Sequence, residues 1–163
     1  MYSPLSKYGD LSKILSQCKS LTLSQAWAIS FQLCSGLGVF HSSNMMHRDI
    51  KPNNILIDEQ TLTLKICDFG QVRVTPSVLK QKCPRYTIDV GSRWYKAPEL
   101  LFGGRKTEEC SCWYDHKIDI WSLGCIISEL IQCALISMNL QKVSNPGPLF
   151  QGISVIDQIM QIS

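Results

Sequence analysis

The stretch 119–131 constrains the fold more than any other part of this chain. Ile120, Trp121, Leu123, Ile126, Ile127, Leu130 and Ile131 make it apolar on nearly every side of a helical period. Such a helix is stable in water only when other elements surround it, so it is expected to be central. A second helix is signalled upstream. Thr22-Leu23-Ser24-Gln25 matches a capping box, in which a threonine and a glutamine side chain satisfy each other's backbone N–H groups. Ala26, Ile29, Leu33, Leu37 and Phe40 follow at helical spacing, and Ser42-Ser43-Asn44 closes the pattern.

The remaining organisation is read around those two helices. Asp10 is placed to cap a short helix through Leu11, Ile14 and Leu15. The apolar runs 54–57 and 62–67, separated by Asp58-Glu59-Gln60, suggest a small β-hairpin. From 70 to 95 no period is visible, and Pro76 and Pro84 interrupt the chain, so an extended loop is expected. Residues 134–147 read as a loop, and 153–162 as a last helix. With 163 residues the chain is one domain or a piece of one, at roughly 100–200 residues per domain.

Composition excludes several classes. Apolar residues make up 45 % and charged residues 18 %, which no disordered tail would show. A net charge of +3 is too mild to argue for nucleic acid. No run of 18 apolar residues exists and the start lacks an apolar core, so neither a membrane span nor a secretory signal is expected. Cys34, Cys67, Cys125 and Cys133 sit in apolar runs and read as small buried hydrophobes, with the cysteines reduced. Cys110, Cys112 and His116 resemble a zinc cluster that lacks its second pair. Thiols on a surface loop are the alternative.

The chemistry-bearing stretch is His47-Arg48-Asp49-Ile50-Lys51-Pro52-Asn53-Asn54, followed by Asp68-Phe69-Gly70 and then Ala97-Pro98-Glu99. Each triplet alone is chance-level. In this order, with a hairpin between the first two, they resemble the protein-kinase catalytic domain. The resemblance implies phosphoryl transfer from ATP with Mg²⁺, a reaction that asks for positioning and charge neutralisation. It implies Asp49 as the catalytic aspartate and Lys51 as a catalytic and phosphate-binding cation of the serine/threonine type. Asn54 and Asp68 match the metal-binding positions, where hard oxygen ligands are needed. Leu56 matches the residue under adenine, and Asp10 falls among the cofactor-binding positions. His47 and Phe69 resemble spine residues, and Asp119 the aspartate that holds the catalytic loop.

The segment 85–99 narrows the likeness. Arg85-Tyr86-Thr87-Ile88-Asp89-Val90-Gly91-Ser92-Arg93-Trp94-Tyr95-Lys96-Ala97-Pro98-Glu99 looks like the activation segment of cyclin-dependent and related kinases. The resemblance implies Thr87 as a regulatory phosphosite, Arg48 and Arg73 as its clamp, and Ser92 as a hydroxyl bridging Asp49 and Lys51. It implies protein substrates with Ser or Thr before proline, and a cyclin-like or other activating partner. Cytoplasm or nucleus is the expected setting.

Departures shape the expectation as well. No G-x-G-x-x-G and no V-A-I-K-like lysine is found, and Gly36-Leu37-Gly38 belongs to the long helix. Insertions are read near 106–113 and 134–146. The expected fold is therefore mainly α with a small β-hairpin region: residues 1–163 as the large C-terminal lobe of a kinase, without its N-lobe and with ATP affinity largely lost. The alternative function is a catalytically inactive binding or decoy module.

Overall fold

The structure is a computed structural model, and it describes residues 9–17, 21–58, 60–75, 87, 90–103, 105–107, 110–140 and 147–163. In chain order the elements are β1 (Gly9–Asp10), α1 (Leu11–Gln17), α2 (Leu23–Ser42), β2 (Met45–Met46), β3 (Ile55–Ile57), β4 (Leu64–Ile66) and β5 (Arg73–Val74). They continue with α3 (Pro98–Leu101), β6 (Arg105–Thr107), β7 (Cys110–Trp113), α4 (Lys117–Ser137) and α5 (Val155–Ile162). The fold is helix-rich with small sheets, as expected.

The two long helices pack on each other. Ala26, Ile29, Leu33 and Leu37 of α2 share one core with Leu123, Ile126, Leu130 and Ala134 of α4. The capping box forms at Thr22 and Gln25, with Thr22 N donating to Gln25 Oε1 at 2.9 Å and Gln25 N to Thr22 Oγ1 at 3.2 Å. Asp10 caps α1 through its carboxylate, which accepts from the Ser12 hydroxyl and from Lys13 N.

α4 departs from the expectation in two ways. It runs on through 134–137, residues read as the start of a loop, because Ala134 is buried and Ser137 Oγ bonds back to Cys133 O. It also keeps a narrow exposed stripe at Ile120 and Ile131 instead of being enclosed all round. By length and composition α4 would cross a membrane, with a mean hydropathy of 1.7. Its buried Asp119 and Glu129 and its packing against α2 make it a core helix instead.

The hairpin appears as β3–β4, paired Ile55↔Ile66, Leu56↔Lys65 and Ile57↔Leu64. β1 adds a third, antiparallel strand, Gly9↔Ile57 and Asp10↔Leu56. The stretch read as an extended loop starts with β5, which pairs with β2 as Met45↔Val74 and Met46↔Arg73. The insertion read near 106–113 is a hairpin of its own, β6–β7. α5 begins at Val155, after an N-cap at Ser154 whose side chain accepts from Asp157 N. Pro76, Pro84 and residues 141–146 of the insertion read near 134–146 lie outside the described residues.

The cysteines need correction. Cys34 is exposed and Cys67 half-buried, because they sit on the outward side of α2 and at the open end of β4. Cys133 is buried but disulfide-bonded, where reduced thiols had been expected. Cys125 is buried and free, and burial, then Glu129, pushes its thiol up to about 11.

Candidate active site

The site is built on one buried carboxylate. Asn44 takes a left-handed conformation (φ 57°) after α2 and turns the chain into β2. β2 delivers His47 and Arg48 to the first turn of α4, where Asp119 is 1 % exposed. Asp119 Oδ2 accepts from His47 N and Oδ1 from Arg48 N, both at 2.8 Å. His41 Nε2 lies 2.9 Å from the same Oδ2. These bonds hold Arg48 at φ 72°, a conformation that costs about 1–2 kcal/mol for a residue with a Cβ. Burial lowers the pKa of His47, against the pull of Asp119.

The fixed loop brings Asp49, Lys51, Asn54 and Ser92 together. Lys51 Nζ donates to Asp49 Oδ2 at 2.8 Å. Asn54 Nδ2 donates to Asp49 O at 2.8 Å and to Oδ2 at 3.0 Å. Ser92 Oγ reaches Asp49 Oδ1 at 3.4 Å, and among the described residues it makes no bond to Lys51. One carboxylate oxygen is thus held by two donors, while the other keeps only a long hydroxyl contact. That second oxygen is free to accept a proton from an incoming hydroxyl.

Asn54 and Asp68 come side by side because Cys67 N donates to Asn54 O at 2.9 Å, one step past the β3–β4 ladder. Asp68 is exposed and left-handed (φ 65°, ψ 70°), and among the described residues only Gly70 N, at 3.4 Å, approaches its Oδ1. With the Asn54 amide nitrogen spent on Asp49, its oxygen and the Asp68 carboxylate remain as hard donors. That set fits Mg²⁺. Phe69 contacts His47, with ring centroids 5.5 Å apart, yet it is 54 % exposed. Leu56 is half-buried on β3, opposite Asp10, whose carboxylate is engaged in capping α1.

Arg48 sits between distant segments. Its Nε donates to Gln71 O and its Nη1 to Tyr114 Oη, both at 2.6 Å, while Nη2 is buried with no partner among the described residues. Tyr114 Oη donates to Thr87 O at 2.8 Å. Thr87 is exposed. Arg73, paired with Met46 across β2 and β5, is exposed and its Nη1 donates to Val72 O. Gly91 is required where it stands. Its φ is +76°, and a Cβ there would lie 3.1 Å from Arg48 O. Gly91→Ala is expected to lower unfolding stability by about 1–2 kcal/mol in urea titration. An unchanged midpoint would remove the contact from the account.

Sequence reading missed Tyr114, Gly91 and Glu129. Glu129 lines a cleft of about 350 Å³ beside Lys51, Ser92, Trp94 and Tyr95. It is 5 % exposed, and its Oε1 lacks a partner among the described residues. Burial raises its pKa to about 7, opposed by a hydrogen bond with Tyr95. The folded state therefore holds this proton more tightly than the unfolded chain does. The corresponding stability is complete below about pH 4.5 and is lost as pH rises through about 7. Its size is on the order of 3 kcal/mol. In Glu129→Gln the pH slope of urea stability between these limits should flatten; a slope equal to the parent's would count against the burial argument.

The zinc alternative is not extended: the Cys110 and Cys112 side chains lie outside the described residues, and His116 turns its ring toward His41, with centroids 4.9 Å apart.

Comparison with known proteins agrees with this geometry. A family profile described as protein kinase domain matches residues 1–158. The chain belongs to that family. Within it, the chain is similar to cyclin-dependent-kinase-like members. It is 37 % identical over 153 residues to the serine/threonine kinase NLK of Caenorhabditis briggsae, covering 94 % of this chain and 20 % of the relative. It is also 37 % identical over 151 residues to cyclin-dependent kinase 20 of Danio rerio, covering 92 % and 37 %. The chain thus spans a fifth to just over a third of these relatives.

Proposed function

We propose that residues 1–163 form the large, substrate-binding lobe of a serine/threonine protein kinase of the cyclin-dependent-kinase-like group, which moves the γ-phosphoryl of ATP to a protein hydroxyl. The observation that carries this reading is the convergence of Lys51, Asn54 and Ser92 on the Asp49 carboxylate. Asp49 accepts the proton of the attacking Ser or Thr. Lys51, fixed by Asp49, presents its positive charge to the transferring phosphoryl group. Asn54 and Asp68 would hold Mg²⁺, which supplies charge neutralisation at the phosphates. Leu56, on the central strand β3 and opposite Asp10, would pack under the adenine.

Likeness to a relative named cyclin-dependent kinase supports a cyclin-like activating partner and a preference for proline after the acceptor. The test joins a kinase small lobe ahead of residues 1–163 and measures transfer from Mg-ATP to a Ser-Pro peptide and to its Ser-Ala counterpart. The reading expects faster labelling of the Ser-Pro peptide by the parent chain and none by Asp49→Asn. Equal rates for parent and variant would overturn the kinase reading and leave a non-catalytic binding module in its place.

A further inference from the structure

We propose that Tyr114 is a positioning residue: its hydroxyl latches the 87–92 segment to the catalytic loop without any phosphate. The proposal rests on the kinase reading for the roles of the two segments it joins. Its basis is geometric. Tyr114 is 2 % exposed and sits in a small core of its own with Met46, Val90, Ala97, Leu100 and Ile118. A buried phenol needs hydrogen-bond partners, and this one serves as acceptor and donor at once. It accepts from Arg48 Nη1 at 2.6 Å and donates to Thr87 O at 2.8 Å.

The bridge spans three parts of the chain. Arg48 belongs to the loop that aims Asp49. Thr87 and Gly91 lie on the segment facing it, and a Cβ at Gly91 would crowd Arg48 O at 3.1 Å. Tyr114 follows β7 and leads into α4, the helix that carries Asp119. One hydroxyl therefore ties the backbone at Thr87 to the same arginine whose N–H is held by Asp119. Because the tie joins a buried guanidinium to a phenol and not to an opposite charge, it should persist at high ionic strength, unlike an exposed ion pair.

Tyr114→Phe keeps the ring in its core and removes only the hydroxyl. The test uses the full chain and backbone ¹⁵N relaxation. In the parent, order parameters at Thr87 and Val90 should be near those of rigid backbone, about 0.85. In Tyr114→Phe they should fall below about 0.6, while α2 and α4 keep the parent values. Unchanged values at Thr87, values already low in the parent, or an equal loss across α2 and α4 would each overturn the proposal.

The single variant leaves a buried arginine N–H without an acceptor, which could unfold the chain. Arg48→Met combined with Tyr114→Phe removes donor and acceptor together. That double variant should fold and still show a loosened Thr87; a Thr87 as rigid as the parent's would overturn the latch. Phosphotransfer enters neither readout, so failure of the kinase reading and failure of the latch are told apart.

Discussion

In this chain joined to a kinase small lobe, Asp49→Asn is expected to lower phosphotransfer to a Ser-Pro peptide by about 10²–10⁴-fold, the range that a positioned general base supplies. The carboxylate is divided between two tasks. Oδ2 is bound by Lys51 and Asn54, which fixes the plane of the group. Among the described residues Oδ1 has only the 3.4 Å contact with Ser92. An asparagine can keep its oxygen on Lys51 and Asn54, but it then turns an N–H₂ toward the substrate. The variant donates where the parent accepts, and it carries no charge. Stability should change by less than about 1 kcal/mol, because the Asp49–Lys51 pair is partly exposed. Initial rates at saturating Mg-ATP, set beside a thermal melt, read both quantities. A rate loss that merely tracks a lower melting temperature would remove Asp49 from the chemistry.

Asp119→Ala has the largest expected effect on folding, a loss of about 3–5 kcal/mol in urea unfolding. The carboxylate is 1 % exposed and accepts from two backbone N–H groups, with His41 as a third neighbour. Its removal strands those donors in the core, and buried donors without partners cost about 1–3 kcal/mol each. It also frees Arg48 from the bonds that hold it at φ 72°. Asp119→Asn should be milder, since its oxygen can still serve one of the two N–H groups. A loss under about 1 kcal/mol for the alanine variant would show that α2 and α4 hold the loop without this carboxylate.

The parts legible in the sequence are those written in neighbouring residues. The capping box at Thr22 and Gln25, the Asp10 cap and the two helical periods are local signals, and each appears where it was read. The candidate site residues were picked out through motif order, and Asp49, Lys51 and Asn54 do converge. What escaped depends on distant partners. β1, β2 and β5 are two residues long, too short to carry a period, and exist only through pairing across the fold. Helix propensity at 134–137 was outweighed on paper by the Asn-Pro-Gly that follows, yet burial of Ala134 carries α4 onward. Glu129 and Tyr114 look like ordinary members of an apolar helix and a polar hairpin end. Their roles come from meeting Tyr95, Arg48 and Thr87, which no spacing announces.

The Asp119 carboxylate sits 72 residues beyond the His47 N–H that it binds. During synthesis at about 5–20 residues per second, that separation amounts to roughly 4–14 s in which the loop has been made but its anchor has not. Throughout that interval a nascent chain carries every residue of the His47–Asn54 motif and none of its working geometry. The geometry of this loop therefore arrives late, when α4 docks and supplies the carboxylate that holds it.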